Sequence, residues 1–102
     1  MPTSPVVLYA EFTAQPGSEA HVASLILGYA DSVRAEPGNV AFEVYRREDE
    51  PLRFFVFETY RDRDAFEAHL AASAGRAFNQ ALREHIQGSG SDLSFLTPVT
   101  RA

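Results

Sequence analysis

The segment from Phe54 to Leu70, FFVFETYRDRDAFEAHL, constrains the fold more than any other part of the chain. Its first half is an aromatic and β-branched run of strand length. Its second half has apolar residues at helical spacing behind Asp62, an aspartate placed to cap a helix. A strand that runs directly into a helix lays that helix back over one face of its own sheet. Within the strand, Phe54 and Val56 point one way and Phe55 and Phe57 the other, because successive strand side chains alternate between faces. In a sheet covered on one side only, one of those two sets would be polar. Here both faces require burial.

The rest of the chain supplies partners for this unit. Val6 to Thr13 reads as a first strand closed by the turn Gln15-Pro16-Gly17, and Val6, Leu8 and Phe12 oppose Val7 and Tyr9 in the same two-faced manner. Ser18 is placed to cap a helix whose apolar stripe is Val22, Leu25, Ile26, Tyr29 and Val33. Glu36-Pro37-Gly38-Asn39 ends that helix, since Pro37 has no amide donor and restricts the residue before it. Val40 to Arg47 is a second strand, joined through Glu48-Asp49-Glu50-Pro51 to a third from Arg53 to Arg61. After Asp62 comes a helix through Ala65, Phe66, His69 and Leu70, which Ala74-Gly75 is expected to interrupt before Phe78, Leu82 and Ile86 resume the period. Gly88-Ser89-Gly90-Ser91 is a loop, and a last strand is expected from Asp92 to about Val99.

The order β-α-β-β-α-β predicts an α+β, ferredoxin-like fold, a four-stranded antiparallel sheet with its helices on one face, in a single domain over residues 1–102. Two helices cover one face of such a sheet. The apolar residues of the other face predict a homodimer in which two sheets pack face to face.

A chain of 102 residues buries only about two-thirds of its unfolded surface on folding, so its own core is modest. It has no cysteine, which excludes disulfides, thiolate nucleophiles and cysteine-ligated metals, and its basic residues are all arginine, which excludes Schiff-base chemistry on lysine. A net charge of -5 with scattered arginines argues against a nucleic-acid partner. No apolar run approaches the roughly 18 residues of a membrane span. Met1-Pro2-Thr3-Ser4-Pro5 has neither the basic start nor the apolar core of a signal peptide, so a cytoplasmic location is expected.

Residues two apart on a strand share a face, which makes Glu58 and Tyr60 project together from the end of the third strand beside Phe54 and Val56. His69 falls on the next helix, beside its core-facing stripe. An unperturbed imidazole titrates near neutrality and is suited to act as a general base on a phenolic hydroxyl. Phe54, Val56, Phe66 and Phe78 are the candidate walls of a pocket for a flat aromatic compound. Each of these residues also has a structural alternative. His69 can meet a backbone carbonyl or a carboxylate, Glu58 can pair with an arginine such as Arg46 or one across a dimer interface, and Tyr60 can be a core residue whose hydroxyl reaches the edge. The phenylalanines can be core first and pocket wall second. His21 and His85 are weaker candidates, at the ends of helices, and no His-x-His or His-x-x-x-His spacing points to a metal. No Gly-x-Gly-x-x-Gly, Walker or nucleophile-elbow motif is present.

The strand-helix segment, taken with Arg34-Ala35-Glu36-Pro37-Gly38-Asn39, resembles the antibiotic biosynthesis monooxygenase family over nearly the whole chain. That resemblance implies a dimeric α+β barrel and the oxidation of electron-rich aromatics by dioxygen without metal or flavin. It also implies His69 as base, with Tyr60 and Glu58 orienting substrate. Many relatives resemble His-Leu-x-Ser-x-His where this chain has His69 to Ala74 or Gly75, so the second histidine is missing. Tyr60 stands where relatives often carry tryptophan, including those that degrade haem, and haem degradation is correspondingly disfavoured. The leading expectation is a cofactor-independent monooxygenase of small aromatic or polyketide-like compounds or quinols. Its rivals are an isomerase of a small carbonyl compound and a non-catalytic ligand-binding or dimerisation module.

Overall fold

Residues 4–100 are described by a computed structural model. Met1 to Thr3, part of the stretch read for a signal peptide, lie outside the described residues. Four strands, β1 (Val6–Thr13), β2 (Asn39–Arg46), β3 (Arg53–Tyr60) and β4 (Asp92–Leu96), form one antiparallel sheet in the order β2-β3-β1-β4. Helices α1 (Glu19–Arg34), α2 (Arg63–Ala71) and α3 (Ser73–Arg83) complete the chain and lie on one face. This is the ferredoxin-like arrangement, with its second helical unit split in two.

Register fixes which side chains share the helix-covered face. Leu8 stands opposite Glu58 on one side and Phe95 on the other, Ala10 opposite Val56 and Leu93, and Phe12 opposite Phe54. From β2, Phe42 and Val44 join Glu58 and Val56 on that face. Leu8, Ala10, Phe12, Phe54, Val56, Glu58 and Tyr60 are all buried there, packed against Val22, Ile26, Ala30 and Val33 of α1. On the opposite face Val7, Tyr9, Phe55 and Phe57 are only partly buried, and Tyr9 and Phe55 lie 5.7 Å apart between ring centroids. The two-faced strand pattern is thus a property of the folded sheet, with one face covered by helices and one open.

Local chemistry explains most element boundaries. Asp62 caps α2 as expected, its Oδ1 accepting from the Ala65 amide at 2.9 Å. Ser18 does precede α1, but its backbone is already in the helical region and its side chain makes no capping bond. The break in the second helical unit falls at Ala72, whose ψ of 136° is extended, and not at Ala74-Gly75. Gly75 is helical and buried, and its missing side chain makes room for a neighbour: a Cβ there would sit 3.0 Å from the Tyr29 hydroxyl. Ile86 lies beyond α3 and forms an isolated bridge with Ala14. The last strand stops at Leu96 rather than Val99, where β1 has only Val6 left to pair and Pro98 brings no amide.

Gly38 is a point of close approach between the α1–β2 turn and α2. A Cβ at this position would lie 2.2 Å from that of Ala65, so only glycine fits, and its carbonyl accepts from the Arg61 amide at 2.8 Å. This contact clamps the turn bearing Glu36 against the start of the helix bearing His69.

Candidate active site

A cavity of about 620 Å³ opens between the helix-covered face of the sheet and the three helices. Its buried end is formed by Glu58 and Val56 of β3, Phe42 of β2, and Phe66 and His69 of α2. Tyr29 of α1 and Phe78 of α3 form an aromatic side wall, stacked at 4.4 Å with 8° between ring planes, and Tyr29 meets Phe42 edge-on at 5.7 Å.

The strand-helix segment places its candidate residues in two layers. His69, Glu58, Val56, Phe66 and Phe78 line the cavity. Tyr60 and Phe54 are buried but do not line it. Tyr60 lies behind Glu58 and against Phe66 and His69, at 5.3 and 4.8 Å between centroids, and its hydroxyl donates to Glu58 Oε1 at 2.6 Å instead of reaching the edge. Phe54 stacks on Phe12 at 5.4 Å near the other end of the strand, which makes it a core residue rather than a pocket wall. Arg46 lies over the Phe54 ring at 5.8 Å and does not pair with Glu58, whose hydrogen-bonding partner is Tyr60. His21 and His85 lie 4.3 Å apart, away from the cavity lining.

The sequence reading assigned neither Tyr29 and Phe42 of the wall nor Glu36 to the site. Both carboxylate oxygens of Glu36 lie 3.1 Å from His69 Nδ1. A carboxylate only accepts, so Nδ1 carries the proton and donates it, which leaves the lone pair of the neutral imidazole on Nε2. Nε2 lies 3.8 Å from Glu58 Oε1 on the cavity side. A histidine oriented by a carboxylate on one nitrogen and open on the other has the geometry of a general base. Glu36 stands in the Glu-Pro-Gly turn, read in the sequence as a helix stop and as part of the family resemblance, with no role at the site. Its contact with His69 spans 33 residues, and the glycine two positions on was the sole local hint of a close approach.

Electrostatics set the protonation of the remaining groups. Burial pushes the Glu58 carboxyl above its usual range, and the Tyr60 hydrogen bond and nearby His69 only partly offset this. When protonated, Glu58 can donate from one oxygen while accepting from Tyr60 at the other. Tyr29 is pushed up to about 12, first by burial and then by the nearby Glu58 and Glu36 carboxylates. Tyr60 is driven further in the same direction by burial and by Glu58. Both remain phenols at neutral pH. Among the described residues no group of three or more histidine or acidic side chains is arranged to hold a metal ion, and no helix is long and apolar enough to cross a membrane.

Several solved structures share this architecture. Rv0793 from Mycobacterium tuberculosis superposes with a TM-score of 0.87 at 24% identity, over 97% of this chain and 99% of that one. PA3566 from Pseudomonas aeruginosa gives 0.87 at 21% identity, over 98% and 99%. SnoaB from Streptomyces nogalater, described as a cofactor-independent oxygenase, gives 0.83 at 24% identity, over 95% of each chain. At these identities the likeness establishes the fold. No curated protein matches the chain. A model of the family described as antibiotic biosynthesis monooxygenase matches residues 5–81, a span that holds β1 to β3, the Glu36 turn, His69 and most of α3. The chain belongs to the antibiotic biosynthesis monooxygenase family.

Proposed function

We propose that this protein is a cofactor-independent monooxygenase that oxidises small electron-rich aromatic compounds, such as anthrones, phenols or quinols, with dioxygen, and that His69 is its base. The observation that carries the reading is the Glu36–His69 pair at the buried end of an aromatic-walled cavity. Family membership supports the reaction class. The cavity volume is in the range that encloses a small organic ligand.

With Nδ1 donating to Glu36, His69 Nε2 takes a proton from the substrate hydroxyl or its enol, and the Glu36 carboxylate stabilises the imidazolium that forms. Glu58, held in place by the Tyr60 hydroxyl, orients a substrate oxygen and donates to it when its carboxyl is protonated. The substrate anion then passes one electron to dioxygen. The resulting radical and superoxide combine in a new C–O bond, and the peroxide takes the proton back from His69. For an anthrone, that peroxide loses water by breaking its O–O bond and the adjacent C–H bond. One oxygen atom stays as the new carbonyl and the other leaves as water, so the substrate itself supplies every electron.

A second reading rests on the 3.8 Å approach of His69 Nε2 to Glu58. A base and a carboxyl side by side are also the equipment for moving a proton along a carbonyl compound, which would make the protein an isomerase. Incubating the purified protein with an anthrone or a naphthoquinol under air and under argon separates the possibilities. The oxygenase reading expects conversion only under air, with one atom of labelled dioxygen in the product. Conversion that persists under argon supports the isomerase, and binding without conversion in either atmosphere supports a ligand-binding module.

A further inference from the structure

The outer part of the cavity has a chemistry that the proposed reaction does not use. On α3 the residues Gly75, Phe78 and Leu82 recur at i, i+3 and i+7 and face the core, while Arg76, Asn79, Gln80 and Arg83 recur at i, i+3, i+4 and i+7 as a second stripe beside the first. All four residues of that second stripe line the cavity, and all four are exposed, whereas His69 and Glu58 at the other end are buried. The stripe therefore forms the mouth. Neither arginine is in a salt bridge among the described residues. One nitrogen of Arg76 donates to the Ala71 carbonyl at 3.1 Å, which steadies the guanidinium and leaves its other donors free. Glu58 is the only acidic residue in the lining, set at its buried end against the two arginines of the mouth. A chain of net charge -5 thus keeps a positively charged cavity.

We propose that Arg76 and Arg83 form an anion subsite at the mouth of the cavity, and that the ligand this cavity takes is a planar aromatic acid, its ring among Phe42, Phe66, Tyr29 and Phe78 and its carboxylate on α3. The proposal rests on reading the cavity as a substrate site and adds the class of compound that enters it. A guanidinium matches a carboxylate through paired N–H donors, and an anion held at the mouth puts the far end of a rigid ring system towards His69. Binding at two points, one at each end of the cavity, sets which ring carbon meets the base.

The test uses binding rather than turnover, so that it stands apart from the oxygenase reading. The probes are 6-hydroxy-2-naphthoate and its isosteric carboxamide, titrated by calorimetry into the native protein and into the double variant Arg76→Gln/Arg83→Gln at low and moderate salt. Both positions are exposed and outside the core, and circular dichroism checks that the variant is folded. The acid is expected to bind roughly tenfold more tightly than the carboxamide at low salt, with the preference narrowing as salt rises. The double variant should lose that preference and keep its carboxamide affinity. Equal binding of the two probes by the native protein, or a preference that survives in the variant, overturns the anion subsite and leaves the aromatic cavity standing. Failure of both probes to bind the native protein overturns the subsite and the substrate-site reading together.

Discussion

The buried pair Glu58 and Tyr60 places a titratable carboxyl where the interior penalises its charge. Glu58 titrates above the usual glutamate range in the folded protein because burial penalises its charged form. The sign follows from proton linkage. Between the ordinary glutamate range and the raised value the folded state holds a proton that the unfolded state releases, so the Glu58 contribution to stability falls as pH rises through that window. Glu58→Gln keeps an acceptor for Tyr60 and has no charge to bury. Chemical denaturation should therefore find the variant more stable than the native chain at neutral pH, with the gain vanishing as pH drops below the ordinary glutamate range. A variant less stable at neutral pH would mean that a charged Glu58 is needed by its surroundings. The place of Glu58 in the cavity lining was legible because strand alternation alone puts it on the face of Val56 and Tyr60. The partner of Glu58 was not, since Arg46, the expected counter-ion, instead lies over Phe54.

At the scale of elements, local signals carried far and then stopped at contacts between distant segments. Asp62, the paired apolar strands and the Pro37 stop are local, and the strands and helices that they mark are present with ends displaced by a few residues at most. Gly75 looked like a helix breaker because glycine usually is one. Its reason for being small lies on another helix, in the Tyr29 hydroxyl, and the actual break at Ala72 has no turn residue to betray it. The Glu36–His69 contact is hidden in the same way, because it depends on how closely the turn approaches α2. Gly38 controls that approach. Gly38→Ala forces a methyl group into Ala65, and overpacking of this kind costs about 1–3 kcal/mol. Thermal or denaturant unfolding should register that loss. Separation of Glu36 from His69 should also lower kcat more than it changes KM, whereas a purely global destabilisation would leave the kinetics of the folded fraction unchanged.

For the whole molecule, the open face of the sheet is the unfinished part of the fold. Val7, Tyr9, Phe55 and Phe57 lie side by side on the two central strands, where no helix reaches them. We propose that a second copy covers this face, so that two sheets pack into an α+β barrel. The apolar pattern was readable in the sequence because alternation exposes a second apolar set, whereas the symmetry of a pairing is set by surfaces distant in the chain. Phe57→Glu puts a charge in the middle of this patch without touching the cavity. Sedimentation should show a dimer for the native protein and a monomer for the variant, while a native protein that is monomeric at micromolar concentration would rule out the barrel.

The proposed oxygenase activity depends most on His69 acting as a base held by Glu36. Dioxygen consumption by the purified, metal-stripped protein, measured against a panel of quinols, anthrones and naphthols, tests it for the native chain, His69→Ala and Glu36→Gln. The expected result is uptake by the native protein, a loss of about 10²-fold or more in His69→Ala, as befits removal of a general base, and an intermediate rate in Glu36→Gln. Uptake that is unchanged in His69→Ala, or absent from the native protein across the whole panel, would contradict it.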